Sequence, residues 1–291
     1  MGRVAAAADA VPMVTPTRDG PLRSGFSGAQ QGARGAVVMI AKFVLPFAVL
    51  VGLWEISALA LGFSEYLYPR PTLVLRTFGV LINHGVLLAY SEVSMWRWFV
   101  GVVVGIGLAV PTALILSFSK PLARMFSPLI NFFMAIVELA WIPLFVLWFG
   151  YGFKVIVLSI AYCSFFPIVA NTISGIAQIS PSYVQSAQCL GAGRVQMAFH
   201  VFIPGALPGI VTGVRTGAGF GFRSLIGAEM IAAQSGLGYM IFESGANQLT
   251  QRTIAGMIAI GVIWLLIDRL YLRPLEQATV ERWGMTGRTR R

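Results

Sequence analysis

Predominantly apolar runs recur along this chain at about 36–62, 93–118, 126–149, 154–176, 205–232 and 254–272. A helix that crosses a bilayer needs about 20 such residues, so each run is a candidate span. The composition agrees, with 57% hydrophobic and 11% charged residues against about 25% charged in an ordinary soluble domain. One water-soluble core cannot absorb that much apolar surface. The expected fold is an all-α membrane protein of about six spans with both termini on one side.

Orientation follows from Lys and Arg, which are retained on the cytoplasmic side of short connections. Arg3, Arg18, Arg23, Arg34 and Lys42 precede the first span, Lys120 and Arg124 occupy the second connection, and Arg273, Arg282, Arg288, Arg290 and Arg291 close the chain. Arg70, Arg76, Lys154 and Arg252 fall on the opposite side. The balance predicts an N-in, C-in chain. The same clustering accounts for the net charge of +10 without a nucleic-acid partner. Residues 1–34 mix Ala, Gly, Pro, Thr and Arg and lack the apolar core of a secretory signal. They are expected to form a flexible cytoplasmic tail, followed by a transmembrane domain at 35–275 and a basic cytoplasmic tail at 276–291. Pro69 and Pro71 favour an extended turn, after which 73–88 reads as a short amphipathic helix on the outer surface. Cys163 falls within a span and Cys189 outside one, so both read as packing residues and not as a disulfide framework.

Gly205, Gly209, Gly213, Gly217 and Gly221 recur every four residues and form one ridge on a helix. Small residues at this spacing admit a neighbouring backbone, as Gly101 and Gly105 do on a shorter ridge. The ridge reads as helix packing, within the chain or between subunits. The run GAGFG at 217–221 does not match G-x-G-x-x-G, because Phe222 stands where the last glycine belongs. G-x-x-x-x-G-K-[ST] is absent, so ATP is not bound by that route. No H-E-x-x-H spacing indicates a metal, and His84 and His200 flank spans.

Between the apolar runs lies one polar, glycine-broken segment, QSAQCLGAGRVQMAFHVFIPGALP at 185–208. Ser180 and Pro181 make a good helix start. The helix is expected to stop near Gly191, Ala192 and Gly193, and a second short helix at 194–202 to end before Pro204. Such a bent pair offers a handle to a soluble partner.

The residues Gln185, Ser186 and Ala187, then Gly191, then Val201, Phe202, Ile203 and Pro204 resemble the EAA loop of permease subunits of bacterial ATP-binding-cassette importers. Gln185 and Ser186 replace the leading Glu and the first Ala of that pattern. LAWIPLFVLWFG at 139–150, FFPIVANT at 165–172 and GAEMIAAQSGLGY at 227–239 are similar to the permeases for nitrate, taurine, aliphatic sulfonates and bicarbonate. The resemblance runs from about 68 to 283.

It implies the type I importer permease fold, working as a homodimer in the bacterial cytoplasmic membrane. Two separate ATPase subunits would bind ATP and Mg, and a periplasmic or lipid-anchored binding protein would deliver a small solute, by family weight an organic or inorganic anion. No cofactor or metal would be held by this chain. Gln185, Ser186, Ala187, Leu190, Gly191, Ala192, Arg194 and Pro204 would form the ATPase-coupling loop. Movement of that loop would drive alternating access.

Ionisable groups inside spans are site candidates by default. Glu138 directly precedes Leu139, Ala140, Trp141, Ile142 and Pro143, where the proline is expected to loosen the helix. Its carboxylate either lines the pathway and contacts a donor group on the solute or neutralises Arg97 or Arg223. Trp141 is a candidate aromatic wall. Arg223 offers a guanidinium fork suited to anion oxygens, whereas Glu229, six residues on, reads rather as one half of an ion pair with another helix. Glu55, Arg97 and Arg215 read as structural. A secondary transporter driven by an ion gradient is the alternative, but such folds often carry inverted repeats and none is visible.

Overall fold

The computed structural model of the protein describes residues 45–62 and 64–282. The expected N-terminal tail, the first nine residues of the first expected span and the end of the C-terminal tail lie outside the described residues. Every regular element among the described residues is helical. In chain order they are α1 Leu45–Ala60, α2 Pro71–Asn83, α3 Val86–Ser117, α4 Lys120–Ala135, α5 Ile142–Phe149 and α6 Phe153–Ala177. Then follow α7 Pro181–Cys189, α8 Arg194–Met197, α9 Ile203–Ala232, α10 Leu237–Ala246, α11 Thr250–Ile267 and α12 Arg273–Arg282. By length and hydropathy four helices can cross a bilayer, or five if a bent pair counts as one span. The described part of α1 is an apolar helix below that length.

The centre of the bundle is α6, held between α3 and α9 by glycines. Ile160 of α6 meets both neighbours, since a Cβ built on Gly101 would lie 2.6 Å from its Cγ2 and one on Gly221 would lie 3.0 Å from it. Further along the same seam, a Cβ on Gly209 would fall 2.8 Å from the Gly175 Cα, and one on Gly217 would fall 2.8 Å from the Ser164 carbonyl oxygen. The four-residue ridge at 205–221 is therefore spent within the chain, on α6. Lipid is as apolar as leucine, so close backbone packing of this kind takes the place of a hydrophobic driving force between helices.

These contacts fix direction. The numbers on α3 and α6 rise together along their seam, while those on α9 rise as those on α6 fall, so α9 is antiparallel to both. At the far end Leu114, Ile176, Met197, Phe202 and Ala206 share one apolar cluster, which seats the α7 region against the ends of α3 and α6. Thr77 of α2 lies 3.4 Å from Gln251 at the start of α11, placing α2 at the opposite end.

Three expectations are corrected. The run 126–149 is not one straight span: it breaks between α4 and a 3₁₀ turn, Glu138–Trp141, that leads into α5, with an 88° bend. Pro143 does not cause the break. It sits in the first turn of α5, where its missing N–H costs nothing, whereas the chain turns at Ile136 and Val137 with ψ of 125° and 128°. Second, the helix at 194–202 does not stop before Pro204. It runs through a π turn, Ala198–Phe202, into α9 as one 39-residue helix, the widened turn absorbing the proline ring as such bulges do. Third, the helix expected at 73–88 ends at Asn83, and after Gly85 at φ 71° the long α3 begins at Val86.

Candidate functional site

Helix α7 starts at Pro181 and ends in a Schellman turn. The Ala192 N–H donates to the Ala187 carbonyl at 3.0 Å and the Gly191 N–H to the Gln188 carbonyl at 3.0 Å. This pattern requires a left-handed residue at the turn, and Gly191 supplies it with φ 79°. Val184, Ala187 and Ala192 lean on the apolar cluster at the ends of α3, α6 and α9. Gln185, Ser186 and Arg194 face outward. So do Tyr183, Val195 and Phe199, and Leu190 is 89% exposed. The segment is anchored on one side and exposed on the other, where Tyr183, Leu190, Val195 and Phe199 stand among polar side chains. Pro204 stands in the first turn of α9, well inside the long helix that α8 and α9 make together.

Behind this surface a second polar contact ties the helices. The Arg215 Nε and Nη2 donate to Asp268 at 2.9 and 3.1 Å, and its Nη1 donates to Glu276. Thr212 also donates to Glu276, at 3.1 Å. Glu276, which the sequence places in a tail, is thereby bound into the bundle through α12. Asp268 and Glu276 were not anticipated as the partners of Arg215, because their spacing across the second π turn, Asp268–Leu272, is invisible to a simple helical period.

At the other end Glu229 is 0% exposed and fully engaged. Ser94 Oγ lies 2.9 and 2.8 Å from its two oxygens. Arg97 Nη1 donates at 2.8 Å and the Gly238 N–H at 3.0 Å. Arg97 also donates to the Ser235 carbonyl at 2.6 Å and the Ser235 hydroxyl at 2.9 Å. The Leu237 N–H donates to Ser94 Oγ at 2.9 Å. Glu229 thus caps the start of α10 from another helix. Gly236, at φ 108°, is obligatory, since a Cβ there would run into the Glu229 carboxylate. Ser94, Ser235 and Gly236 were missed in the sequence; the G-L-G step at 236–238 was the available signal.

The break between α4 and α5 opens a third environment. A cavity of about 50 Å³ is lined by Glu138 of the 3₁₀ turn, Phe133 of α4, Tyr162 and Phe166 of α6, and Phe220 of α9. Trp141 stands behind it, its ring 5.0 Å from Tyr162 and 6.0 Å from Phe133. Arg223 is exposed and lies over the Phe220 ring at 4.7 Å. Among the described residues neither Glu138 nor Arg223 has a hydrogen-bond or ion-pair partner, and Arg97 pairs with Glu229, so of the two readings of Glu138 its pairing with Arg97 or Arg223 is not seen there. Pro143 is exposed on α5, away from the cavity lining. Of the candidate pathway residues, the structure brings Glu138, Trp141 and Arg223 around one aromatic cluster and places Glu229 elsewhere.

Residues 101–273 match the family model described as the binding-protein-dependent transport system inner membrane component. SsuC of Bacillus subtilis (strain 168), a permease protein named for aliphatic sulfonates transport, is 31% identical over 236 residues, covering 81% of this chain and 85% of its own. The taurine transport system permease protein TauC of Escherichia coli (strain K12) is 31% identical over 235 residues, covering 79% and 85% respectively. A chain of the MetNI methionine ABC transporter, solved in an inward-facing conformation, has the same fold, with a TM-score of 0.51 at 19% identity over 65% of this chain and 95% of that one. The chain belongs to the family of binding-protein-dependent inner-membrane transport components, the permeases of ATP-binding-cassette importers, and groups there with the sulfonate and taurine permeases. It is a multi-pass membrane protein of a transport family and not of an enzyme family.

Proposed function

We propose that this chain is the membrane-spanning subunit of an importer that carries a small organic or inorganic anion inward, powered by two separate ATPase subunits. The observation that carries the reading is α7. A short polar helix that exposes Tyr183 and, at its end, Leu190, and that a Schellman turn holds against the ends of three spanning helices, can pass a push from a soluble partner directly into α3, α6 and α9. ATP and Mg belong to that partner, and a second copy of this chain completes the pathway. A periplasmic or lipid-anchored binding protein delivers the solute at the α2 end, opposite α7.

Alternating helix directions support the N-in, C-in orientation. Counting α1 and the bent α4–α5 pair as spans gives six crossings, with α7 and the Arg124 connection on the same, cytoplasmic side of the bacterial inner membrane. The test uses Leu190. The wild-type chain, purified with its neighbouring-gene ATPase, should retain that subunit at two per two permeases, and Leu190→Asp should lose it while keeping its own thermal stability in detergent. Full retention by Leu190→Asp would remove α7 as the docking element, and no association by the wild type would remove the importer reading itself.

A further inference from the structure

The cavity at the α4–α5 break is a half-open recess, rich in aromatic side chains, with one carboxylate that has no partner among the described residues. Phe133, Tyr162, Phe166 and Phe220 line it from three helices, and Glu138 faces it from the turn between α4 and α5. Non-helical backbone within a spanning segment is tolerated where it lines a cavity, and interrupted helices mark binding sites in other transporters. Glu138 belongs to such an interruption. Its charge has no counter-ion among the described residues, and Arg223 lies instead over the Phe220 ring. Glu138 is the one charged side chain of the lining, against a wall of the mutually stacked Phe133 and Phe166 rings and Tyr162, so the recess favours a positively charged nitrogen, whose attraction to a carboxylate is strong away from water. A bare anion meets the opposite field there.

We propose that this cavity receives a protonated or quaternary nitrogen group of the transported solute, which narrows the anion proposed above to an organic acid that also carries a positively charged nitrogen. The assignment rests on the importer reading above and specifies its substrate class. Glu138 and the rings hold the nitrogen end. Arg223, exposed beside Phe220, is the group that meets the acid end, as its fork geometry suits carboxylate or sulfonate oxygens. The cavity is small, at about 50 Å³, so it takes a head group and not a whole solute.

The experiment uses the full chain in lipid nanodiscs and the intrinsic fluorescence of Trp141, whose ring packs against Tyr162 and Phe133 of the cavity wall. Tetramethylammonium and glycine betaine should each change the emission saturably, whereas methanesulfonate and sodium chloride at the same concentration should not. Glu138→Gln should weaken both nitrogen probes by about tenfold or more, the loss of one charge-assisted contact. Glu138→Asp, which keeps the charge, should weaken them less, and Trp141→Phe should remove the signal. The proposal is overturned by a wild type that ignores the nitrogen probes, by an undiminished response in Glu138→Gln, or by a signal that survives Trp141→Phe. ATPase co-purification from the same preparation reports on the importer reading separately, so the two can fail independently.

Discussion

Two glutamates sit inside the helical bundle, and the structure treats them oppositely. Glu229 is wholly buried and receives a guanidinium, a serine hydroxyl and a backbone N–H. Glu138 stands in a broken span, beside a cavity, with no donor among the described residues. An intramembrane carboxylate is costly in either place. Where all of its lone pairs are answered from inside the chain, its role is to hold elements together; where none is, its partner comes from outside. Sequence position alone separates the two poorly, since both follow apolar helical stretches.

The largest effect should come from stripping Glu229. Glu229→Ala leaves Arg97 at 11% side-chain exposure with its carboxylate gone and takes away the cap of α10, so about 3–5 kcal/mol of stability should be lost, as for other broken buried pairs. Thermal unfolding in detergent, or the yield of monodisperse protein, would read it. Replacing both partners, as Arg97→Met with Glu229→Leu, should cost much less than the single change, because no charge is stranded. A double variant as unstable as Glu229→Ala would show that the pair acts through α10 capping and not through charge balance.

Gly236→Ala attacks the same lock through the backbone. The added methyl would meet the Glu229 carboxylate at a φ of 108°, where L side chains are strained. About 2 kcal/mol should be lost, combining the φ penalty with overpacking, and the loss should shrink in a chain that already carries Glu229→Ala. That coupling, measured as a double-mutant cycle, sharpens the claim that Gly236 exists for Glu229. Equal losses in both backgrounds would break it.

The seam between α6 and α9 was legible in the sequence. Glycines at every fourth position from Gly205 to Gly221 could only form a ridge, and the ridge is found pressed on α6. The turn at Gly191 was legible for the same reason, since a glycine after a capped short helix supplies the left-handed residue that a Schellman turn demands. The break in the third apolar run was not. Hydropathy reports that 126–149 is apolar but carries no information on direction, and neither of its prolines marks the break: Pro128 lies inside α4 and Pro143 in the first turn of α5, where proline is well tolerated. The turn is made at Ile136 and Val137, two β-branched residues that enter an extended conformation readily. The ring of Phe133, Tyr162, Phe166 and Phe220 was likewise hidden, because its members come from three helices whose register only the packing sets.

The smallest expected effect is the one that separates the glutamates most cleanly. Glu138→Gln removes a charge but leaves a side chain of the same shape in a cavity where no hydrogen bond to a described residue is lost. Its stability should therefore lie within about 0.5 kcal/mol of the parent, the range for substitutions that break no named interaction, and a slight gain is allowed because the uncompensated charge is gone. Thermal unfolding of Glu138→Gln beside Glu229→Gln makes the comparison direct. The second variant must unbalance Arg97 and the Gly238 cap with the same change of one atom. A Glu138→Gln chain as destabilised as Glu229→Gln would mean that Glu138 is bound by a partner within the protein, most directly across the contact with a second copy, and would withdraw it from the solute pathway.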